Sequence, residues 1–215
     1  MNQSKLIFIL VFLTCLSSCE PRVTFTLPQP ADVNNLSKFP KRLQGKYLNP
    51  IDNSMLSIDD KIIQRIFDYD YKFHMNELDS TQQLSGDTII DLKTNEKIKI
   101  KRDADTLITH IHRIDTVFKI DYDNVVRKFK GYYFLNKRYD KESWEVKKIQ
   151  LTKGQLLLST ISTENNIKNL IQITESPEDT VSPYKFAPTK KQFKEFVKTE
   201  GFSDIEIFVK RKNGL

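Results

Sequence analysis

The chain has 215 residues, with 34 Lys or Arg against 28 Asp or Glu and a formal net charge of +6 at pH 7. This length suits one domain or two small ones, and the mixing of both charge signs along the chain is typical of a solvated surface rather than of a nucleic-acid-binding tract. Both cysteines lie among the first 19 residues. The rest of the chain therefore has no disulfide framework, and its stability must come from an apolar core.

The first predicted element is an apolar run over residues 6–16. A membrane-spanning helix needs about 20 apolar residues, so this run is too short to cross a bilayer. It follows Lys5 and ends in the small residues Ser17 and Ser18. A positive start, a short apolar core and small residues at the end are typical of a secretory signal peptide, which we predict over residues 1–18. The alternative is an ordinary buried amino-terminal helix.

The end of this leader, Leu16-Ser17-Ser18-Cys19, resembles the lipobox of bacterial lipoproteins: an apolar residue, two small residues and a cysteine. The resemblance implies that Cys19 is the site of lipid attachment, that cleavage occurs just before it, and that the new amino terminus is acylated. Cys15 would leave with the leader. Two or more acyl chains hold a protein on a membrane stably, because each buried methylene contributes ~0.8 kcal/mol.

Residues 19–41 follow as the lipidated amino terminus and a proline-rich tether. Such a segment acts as an extended spacer, at ~3.1 Å per residue. Four apolar side chains in it could dock its far half onto the domain: Phe25, Leu27, Leu36 and Phe39. The alternative for residues 20–33 is a wholly disordered linker.

Short strand-like segments then follow one another at hairpin spacing over residues 43–174, among them "GKYL", "MLSI", "DTLITHIHRI", "WEVKKIQL" and "QLLLSTI". Gly, Asn and Asp lie between them, where tight turns need left-handed backbone conformations. Ten or more strands without interleaved helices predict a mainly β fold, an antiparallel barrel or sandwich.

Two segments of this region resemble each other. "LQGKYLN" at 43–49 matches "FKGYYFLN" at 129–136, and each is followed by a polar turn and further strands. This predicts two duplicated β units, over 42–128 and 129–215, with Gly45 and Gly131 at equivalent strand openings. The alternative is chance similarity between two hairpin starts. The Gly-x-Tyr of both segments is similar to the Gly-x-Trp of lipocalin-like barrels.

One α-helix is predicted near the carboxyl terminus. Thr189 and Gln192 have the spacing of a capping box, and Gly201 would end the helix as the left-handed residue after its last turn. An apolar stripe at i, i+3 and i+4 spacing lies between them, formed by Phe193, Phe196 and Val197. "IEIFVKRK" alternates after it as a closing strand.

His110 and His112 form the one His-x-His of the chain. Residues two apart on a strand face the same way, so the two imidazoles could share a zinc ion. Further ligands could come from neighbouring side chains: His74, Asp103, Asp105 or Asp115. Two histidines on the polar face of a half-buried strand explain the pattern more simply, and we predict no metal site.

Paired acids recur along the chain, and we interpret them as turn residues: Asp59 and Asp60, Asp68 and Asp70, Asp103 and Asp105, Asp121 and Asp123. A glycosidase would need two carboxylates across a cleft instead. Gly-rich phosphate loops and a Gly-x-Ser-x-Gly elbow are missing from the sequence. We therefore predict no catalytic residues and no cofactor. Aromatic clusters at 69–73 and 132–144 are interpreted mainly as core, with exposed stacking surfaces as the alternative.

The whole chain resembles envelope lipoproteins of the Bacteroidota, in which acidic residues after the cysteine tend to mark export to the cell surface. Only one acid, Glu20, follows Cys19 directly, so the resemblance implies the periplasmic side of the outer membrane. The predicted role is a non-catalytic binding or scaffold module with an envelope protein as partner. Three alternatives stay open: a carrier of small hydrophobic ligands in a barrel, an envelope enzyme acting on glycan or lipid, and an immunity protein. The sequence does not determine the oligomeric state.

Overall fold

A computed structural model describes residues 21–176 and 182–211. The predicted signal peptide, Cys15 and the predicted lipid-attachment residue Cys19 lie outside these residues. The strands are β1 (Val23–Phe25), β2 (Asn35–Leu36), β3 (Gly45–Leu48), β4 (Met55–Ile58), β5 (Ile62–His74), β6 (Gln82–Ser85), β7 (Thr88–Asp91), β8 (Lys97–Lys99), β9 (Lys101–Asp103), β10 (Thr106–Lys119), β11 (Asn124–Phe129), β12 (Tyr132–Arg138), β13 (Trp144–Thr152), β14 (Gln155–Thr160), β15 (Tyr184–Phe186) and β16 (Asp204–Lys210). The helices are α1 (Glu164–Thr174) and α2 (Lys190–Lys198), with a short 3₁₀ turn at Met75–Glu77.

Most of the strands form one large sheet of 13 strands. Its main path runs β2-β11-β12-β13-β14-β16-β3-β4-β5-β10-β9, and β1 and β15 extend from β13. Neighbours on this path are antiparallel, whereas β1 and β15 pair in parallel. The path has two ends, β2 and β9, so within the described residues the sheet is open. The predicted mainly β, antiparallel fold is confirmed, and a sandwich describes it better than a closed barrel.

The predicted turn chemistry is visible in the hairpins of the second half. Two-residue loops join β11 to β12 and β13 to β14, and both of their residues have positive φ: Lys130 at 50° and Gly131 at 88°, then Lys153 at 44° and Gly154 at 81°. Two left-handed residues in succession define the type I′ turn, whose twist matches that of antiparallel strands. The lysine takes the strained first position, and glycine follows it at no steric cost.

The main core fills the space enclosed by the curved sheet. Tyr47 and Tyr133, the tyrosines of the two Gly-x-Tyr segments, both point into it and are almost fully buried. Side chains from the first and second halves of the chain complete it, among them Phe39, Leu43, Leu56, Ile63, Phe118, Leu135, Leu156 and Phe208. A small pocket of about 40 Å³ lies beside Phe118 and Leu135. The interior is therefore packed with side chains. The duplication of two β units stays a prediction.

A helical layer covers the other face of β12 and β13. Phe134 and Val146 point to this face, while Tyr133 and Leu135, the sequence neighbours of Phe134, point into the main core. Both helices, β1, β15 and the segment between α2 and β16 supply further side chains of this second core, which include Phe25, Leu170, Phe186, Phe193, Phe196 and Phe202. The rings of Phe134 and Phe193 meet edge to face, with their centroids 5.1 Å apart.

Helix α2 confirms the predicted capping box. The Thr189 side chain accepts a hydrogen bond from the Gln192 amide, and the Gln192 side chain accepts one from the Thr189 amide. The role predicted for Gly201 is wrong, because the left-handed residue after the helix is Glu200, with φ of 57°. Gly201 follows it, donating its amide to the Phe196 carbonyl oxygen at 3.0 Å. A Cβ on Gly201 would lie 2.3 Å from the Phe196 ring, so glycine permits close packing here rather than a positive φ.

Helix α1 contradicts the prediction of strands up to residue 174. Thr163 caps it by accepting a hydrogen bond from the Asn166 amide, and Ile167 and Leu170 are buried against the second core. Threonine at the cap and apolar residues at i, i+3 and i+4 were readable in the sequence. The segment directly follows the apolar strand β14, which obscured the change of period.

The segment expected to form a tether lies against the domain from Val23 onward. Phe25 and Phe39 are fully buried and Leu36 packs on the main core, whereas Leu27 is exposed. Asn136, itself buried, accepts a hydrogen bond from the Gln29 amide and donates its own amide to the Gln29 carbonyl oxygen at 2.9 Å. The amide and carbonyl groups of Gln29 are buried and need hydrogen-bond partners. The Asn136 side chain supplies both, so this pairing holds the segment against the domain.

Strands β5 and β10 extend beyond the main core as a long two-stranded arm. Ile63 and Phe118 hold its base in the main core. At its far end β6, β7 and β8 form a separate three-stranded sheet. Ile89, Ile100 and Leu107 are buried there and form a third, small core with Phe73 and neighbouring apolar side chains.

Candidate functional site

The candidate site lies on the middle of the arm, which we call the ribbon: residues 67–72 of β5 and 109–114 of β10. These residues are mostly exposed, since neither the main core nor the small core at the tip covers them. Alternation along the strands gives the ribbon two faces with different chemistry.

One face carries a cluster of histidine and aspartate side chains. In the antiparallel register His110 is opposite Asp70, and His112 is opposite Asp68. His110 Nε2 lies 3.2 Å from Asp68 Oδ1, and its Nδ1 lies 3.1 Å from Asp70 Oδ1. His112 Nδ1 lies 3.6 Å from Asp68 Oδ2. All four side chains are more than half exposed, so solvent reaches the cluster freely.

The acids that lie beside the two histidines differ from those that the sequence suggested as further zinc ligands. His74 caps the 3₁₀ turn at the tip of the arm, where its Nδ1 is 2.8 Å from the Asn76 side chain. Asp115 lies beyond the cluster on the other face and pairs with Arg113 at 3.0 Å. Asp103 ends β9, and Asp105 follows in the turn before β10.

Asp68 and Asp70 lie in the middle of β5, so their interpretation as turn residues is wrong. The turn reading fits the pair at 121–123, where the Asp121 carboxylate accepts from the Asp123 amide at 2.9 Å. To place Asp68 and Asp70 correctly, one would have to know that β5 pairs with β10. This pairing brings together residues 40 positions apart, and strand propensity alone does not reveal it.

The opposite face of the ribbon is aromatic. Phe67, Tyr69 and Tyr71 follow one another at every second position of β5, opposite Arg113, Ile111 and Thr109 of β10. Tyr69 is 40% exposed and Tyr71 is 49% exposed, and the Arg113 guanidinium lies 4.3 Å from the centre of the Phe67 ring. The later aromatic cluster was interpreted correctly as core, since Tyr133, Phe134 and Trp144 are buried.

A groove of about 330 Å³ adjoins the histidine cluster on the side of β8 and β9. Asp70 and His110 form part of its wall, together with Lys99, Lys101 and Asp87. The groove therefore combines acceptor groups at the cluster with two ammonium groups a short distance away.

A second basic groove, of about 420 Å³, lies between α2 and the β11–β12 turn. Its floor is apolar, formed by Phe129, Tyr132 and Val197, and Lys130, Lys194 and Lys198 line its rim. Lysines one turn of a helix apart and an aromatic floor suit an anionic amphiphile better than a metal ion.

Lys148 is a buried cation under the helical layer. Its ammonium group lies 5.3 Å from the ring centres of both Tyr132 and Phe202. Burial lowers the pKa of Lys148, and the negative charge of Glu200 partly opposes this effect. The two aromatic rings beside its ammonium group offset part of the cost of burying this charge.

No protein-family model, curated protein or solved structure matches the chain. Neither of the two helices in the described residues has the length and hydropathy that a membrane span requires. The function must therefore be argued from the chemistry of the site.

Proposed function

We propose that this protein is a lipid-anchored protein of the bacterial envelope whose folded domain is a non-catalytic binding module, with the aromatic face of the ribbon as its contact surface for another envelope protein. The anchor would be Cys19, on the periplasmic side of the outer membrane. The proposal for the anchor is supported by the sequence around Cys19, and that for the contact surface by the geometry of the arm.

The packed interior favours this role over a ligand carrier. A carrier in a barrel requires an internal cavity of several hundred Å³. Here the space inside the curved sheet holds the fully buried rings of Phe39, Tyr47, Tyr133 and Phe208. The pocket beside Phe118, about 40 Å³, is large enough for a few water molecules but far too small for a hydrophobic ligand.

The exposed aromatic face is the observation that carries the proposal. Tyrosine and arginine are enriched among the residues that dominate protein–protein binding, because each combines a large apolar surface with a polar group. Tyr69, Tyr71 and Arg113 present this combination on a strand pair that projects away from the main core. Both strands are already ordered by pairing along their length, so little conformational entropy is lost when a partner binds.

The start of the described chain is compatible with an anchor close to the helical layer. Arg22 forms an ion pair with Glu164 at the beginning of α1, and its guanidinium donates to the Ser162 carbonyl oxygen at 2.7 Å. Cys19 precedes Arg22 by three residues. An anchor at Cys19 would therefore be joined by a short stretch of chain to a residue held at the start of α1.

Mass spectrometry of the protein purified from envelopes of a Bacteroidota host tests the anchor. A chain that begins at an acylated Cys19 is the expected result. An unmodified thiol at this position, or a chain that still carries residues 1–18, would contradict lipidation.

Cross-linking in intact cells, followed by affinity capture, tests the contact surface. We expect the Tyr69→Ala/Tyr71→Ala variant to lose a protein that the unaltered chain captures. Tyr122→Ala is the matched control, because Tyr122 is 89% exposed but lies in the turn between β10 and β11. Capture of the same proteins by all three chains would contradict a role for the aromatic face.

A further inference from the structure

We propose that Asp68, His110 and His112 form a binding site for one divalent transition-metal ion, best matched by zinc, on the exposed face of the ribbon. The site lies on the face opposite to Tyr69 and Tyr71 and goes beyond the proposed role in protein binding. It departs from the sequence-based prediction that His110 and His112 bind no metal, because the structure places Asp68 beside both of them. It rests on the register of two strands, on the distances between ligand atoms and on the position of a supporting carboxylate.

The strand register fixes the arrangement of the ligands. His110 and His112 are two apart on β10 and so project from the same face. The partner strand places Asp68 directly opposite His112, with Asp70 opposite His110. Side chains opposite each other in an antiparallel pair have their Cβ atoms about 4.5–5.5 Å apart. Backbone hydrogen bonds on both strands therefore hold four ligand-type side chains in one compact patch.

The distances are close to those of a zinc site. Zinc binds nitrogen at about 2.0–2.1 Å and carboxylate oxygen at about 2.0–2.2 Å with tetrahedral angles, so two ligand atoms lie roughly 3.3–3.5 Å apart. Asp68 carboxylate oxygens lie 3.2 Å from His110 Nε2 and 3.6 Å from His112 Nδ1. One ligand atom from each of the three residues lies within 4.8 Å of the other two. Small side-chain rotations would bring the three onto one ion.

Asp70 supplies the support that metal-bound histidines usually have. A histidine ligand commonly donates its second ring N–H to a carboxylate, which fixes the tautomer and orients the ring. His110 Nδ1 lies 3.1 Å from Asp70 Oδ1. When this nitrogen donates its hydrogen, the neutral ring presents a lone pair at Nε2 toward an Asp68 oxygen. Two acceptors then face each other, and a cation between them stabilises both.

The donor set selects the class of ion. Two imidazole nitrogens suit zinc, nickel or copper, whereas calcium and magnesium prefer oxygen ligands alone. Three protein ligands leave a fourth position for water, and the exposure of the cluster allows the ion to enter. The two carboxylates of Asp68 and Asp70 together balance the charge of a divalent ion.

Calorimetric titration of the purified full chain with ZnCl₂ tests the site. The chain carries an affinity tag without histidine, and free thiols are alkylated so that cysteine does not contribute. We expect one zinc ion per chain. His110→Ala and His112→Ala should each weaken binding at least tenfold, and Asp70→Asn by about tenfold, as for other supporting carboxylates.

The matched controls are His74→Ala and Asp115→Asn, which alter the same residue types on the same arm outside the cluster. Both should bind zinc as tightly as the unaltered chain, and so should Tyr69→Ala/Tyr71→Ala, which separates this site from the aromatic face. Co²⁺ in place of zinc should give the visible absorption of a tetrahedral complex. All of these side chains are exposed, so we expect every variant to fold. Circular dichroism of each variant checks this.

Equal zinc binding by the unaltered chain and the folded His110→Ala/His112→Ala variant would overturn the proposal. An equal loss of affinity in His74→Ala would also overturn it, because binding would then arise from scattered surface histidines.

Discussion

Substitution of Gly201 by alanine is expected to destabilise the helical layer strongly. The added Cβ would lie 2.3 Å from Cε2 of Phe196 and 2.5 Å from its Cδ2 and Cζ atoms. Ordinary van der Waals contacts between carbon atoms lie near 3.5–4.0 Å, so the ring or the chain must move by about 1 Å. Phe196 is fully buried, and the rings of Phe193 and Phe202 lie 6.3 and 5.5 Å from it, centroid to centroid.

Overpacking of a well-filled core costs typically about 1–3 kcal/mol. The clash here involves three ring atoms in a cluster of phenylalanines, so we expect a loss near the upper end, about 3 kcal/mol. Urea unfolding followed by far-ultraviolet circular dichroism measures this loss of unfolding free energy. The slope of the free energy against urea concentration should be the same for both chains. For a domain of this size the melting temperature should fall by about 6–12 °C.

A double-mutant cycle with Phe196→Leu distinguishes this clash from other effects of the new methyl group. The shorter side chain leaves room for the Cβ, so the loss in Gly201→Ala/Phe196→Leu should be smaller than the sum of the single losses by at least about 1 kcal/mol. A loss below about 0.5 kcal/mol in Gly201→Ala alone, or additive losses in the double variant, would refute close packing as the reason for glycine.

Three further predictions concern the buried polar groups and the arm. Asn136→Ala should lower the free energy of unfolding by about 2 kcal/mol in urea titrations, because it leaves the buried amide and carbonyl groups of Gln29 without partners. Burial lowers the pKa of Lys148 in the folded state below 10.5, so the folded protein gains stability as pH rises toward that value. Lys148→Met should therefore stabilise the protein by roughly 1 kcal/mol at pH 7, and the difference from the unaltered chain should shrink at pH 9.5. Leu107→Ala should speed amide hydrogen exchange in the small sheet and the ribbon but leave β12 and β13 unchanged, because Leu107 is buried in the core at the tip.

The elements that could be predicted from the sequence are those with a local signal. Alternating apolar residues and Gly-containing turns indicated the hairpins of β11–β14, and the capping box indicated α2. Helix α1 has the same kind of signal in Thr163, Ile167 and Leu170, but its three turns are short and directly follow an apolar strand. Over a segment this short, a helical pattern and a strand pattern are hard to tell apart, and tertiary packing determines which structure forms.

The candidate site depends on a contact that no local pattern contains. His110 and His112 were identified, but their partners Asp68 and Asp70 lie about 40 residues earlier, beyond β6–β9. Of the intervening strands, β6, β7 and β8 form a sheet of their own at the tip and β9 pairs with β10, so β5 pairs with β10 as if the insertion were one long loop. The entropic cost of closing a loop rises only slowly with its length, so an insertion of this size does not prevent β5 from pairing with β10.

The way in which the arm is held explains why the ribbon can carry functional groups. An isolated two-stranded ribbon is only marginally stable in water. This one is held at its base by Ile63 and Phe118 in the main core and at its tip by Leu107 in the small core. The strand pair between these two ends is thus stabilised from outside itself, and its side chains need not be buried. The aspartates and histidines on one face and the tyrosines on the other are not part of either core, so we expect substitutions at these positions to leave the domain folded and to test the two proposed binding roles directly.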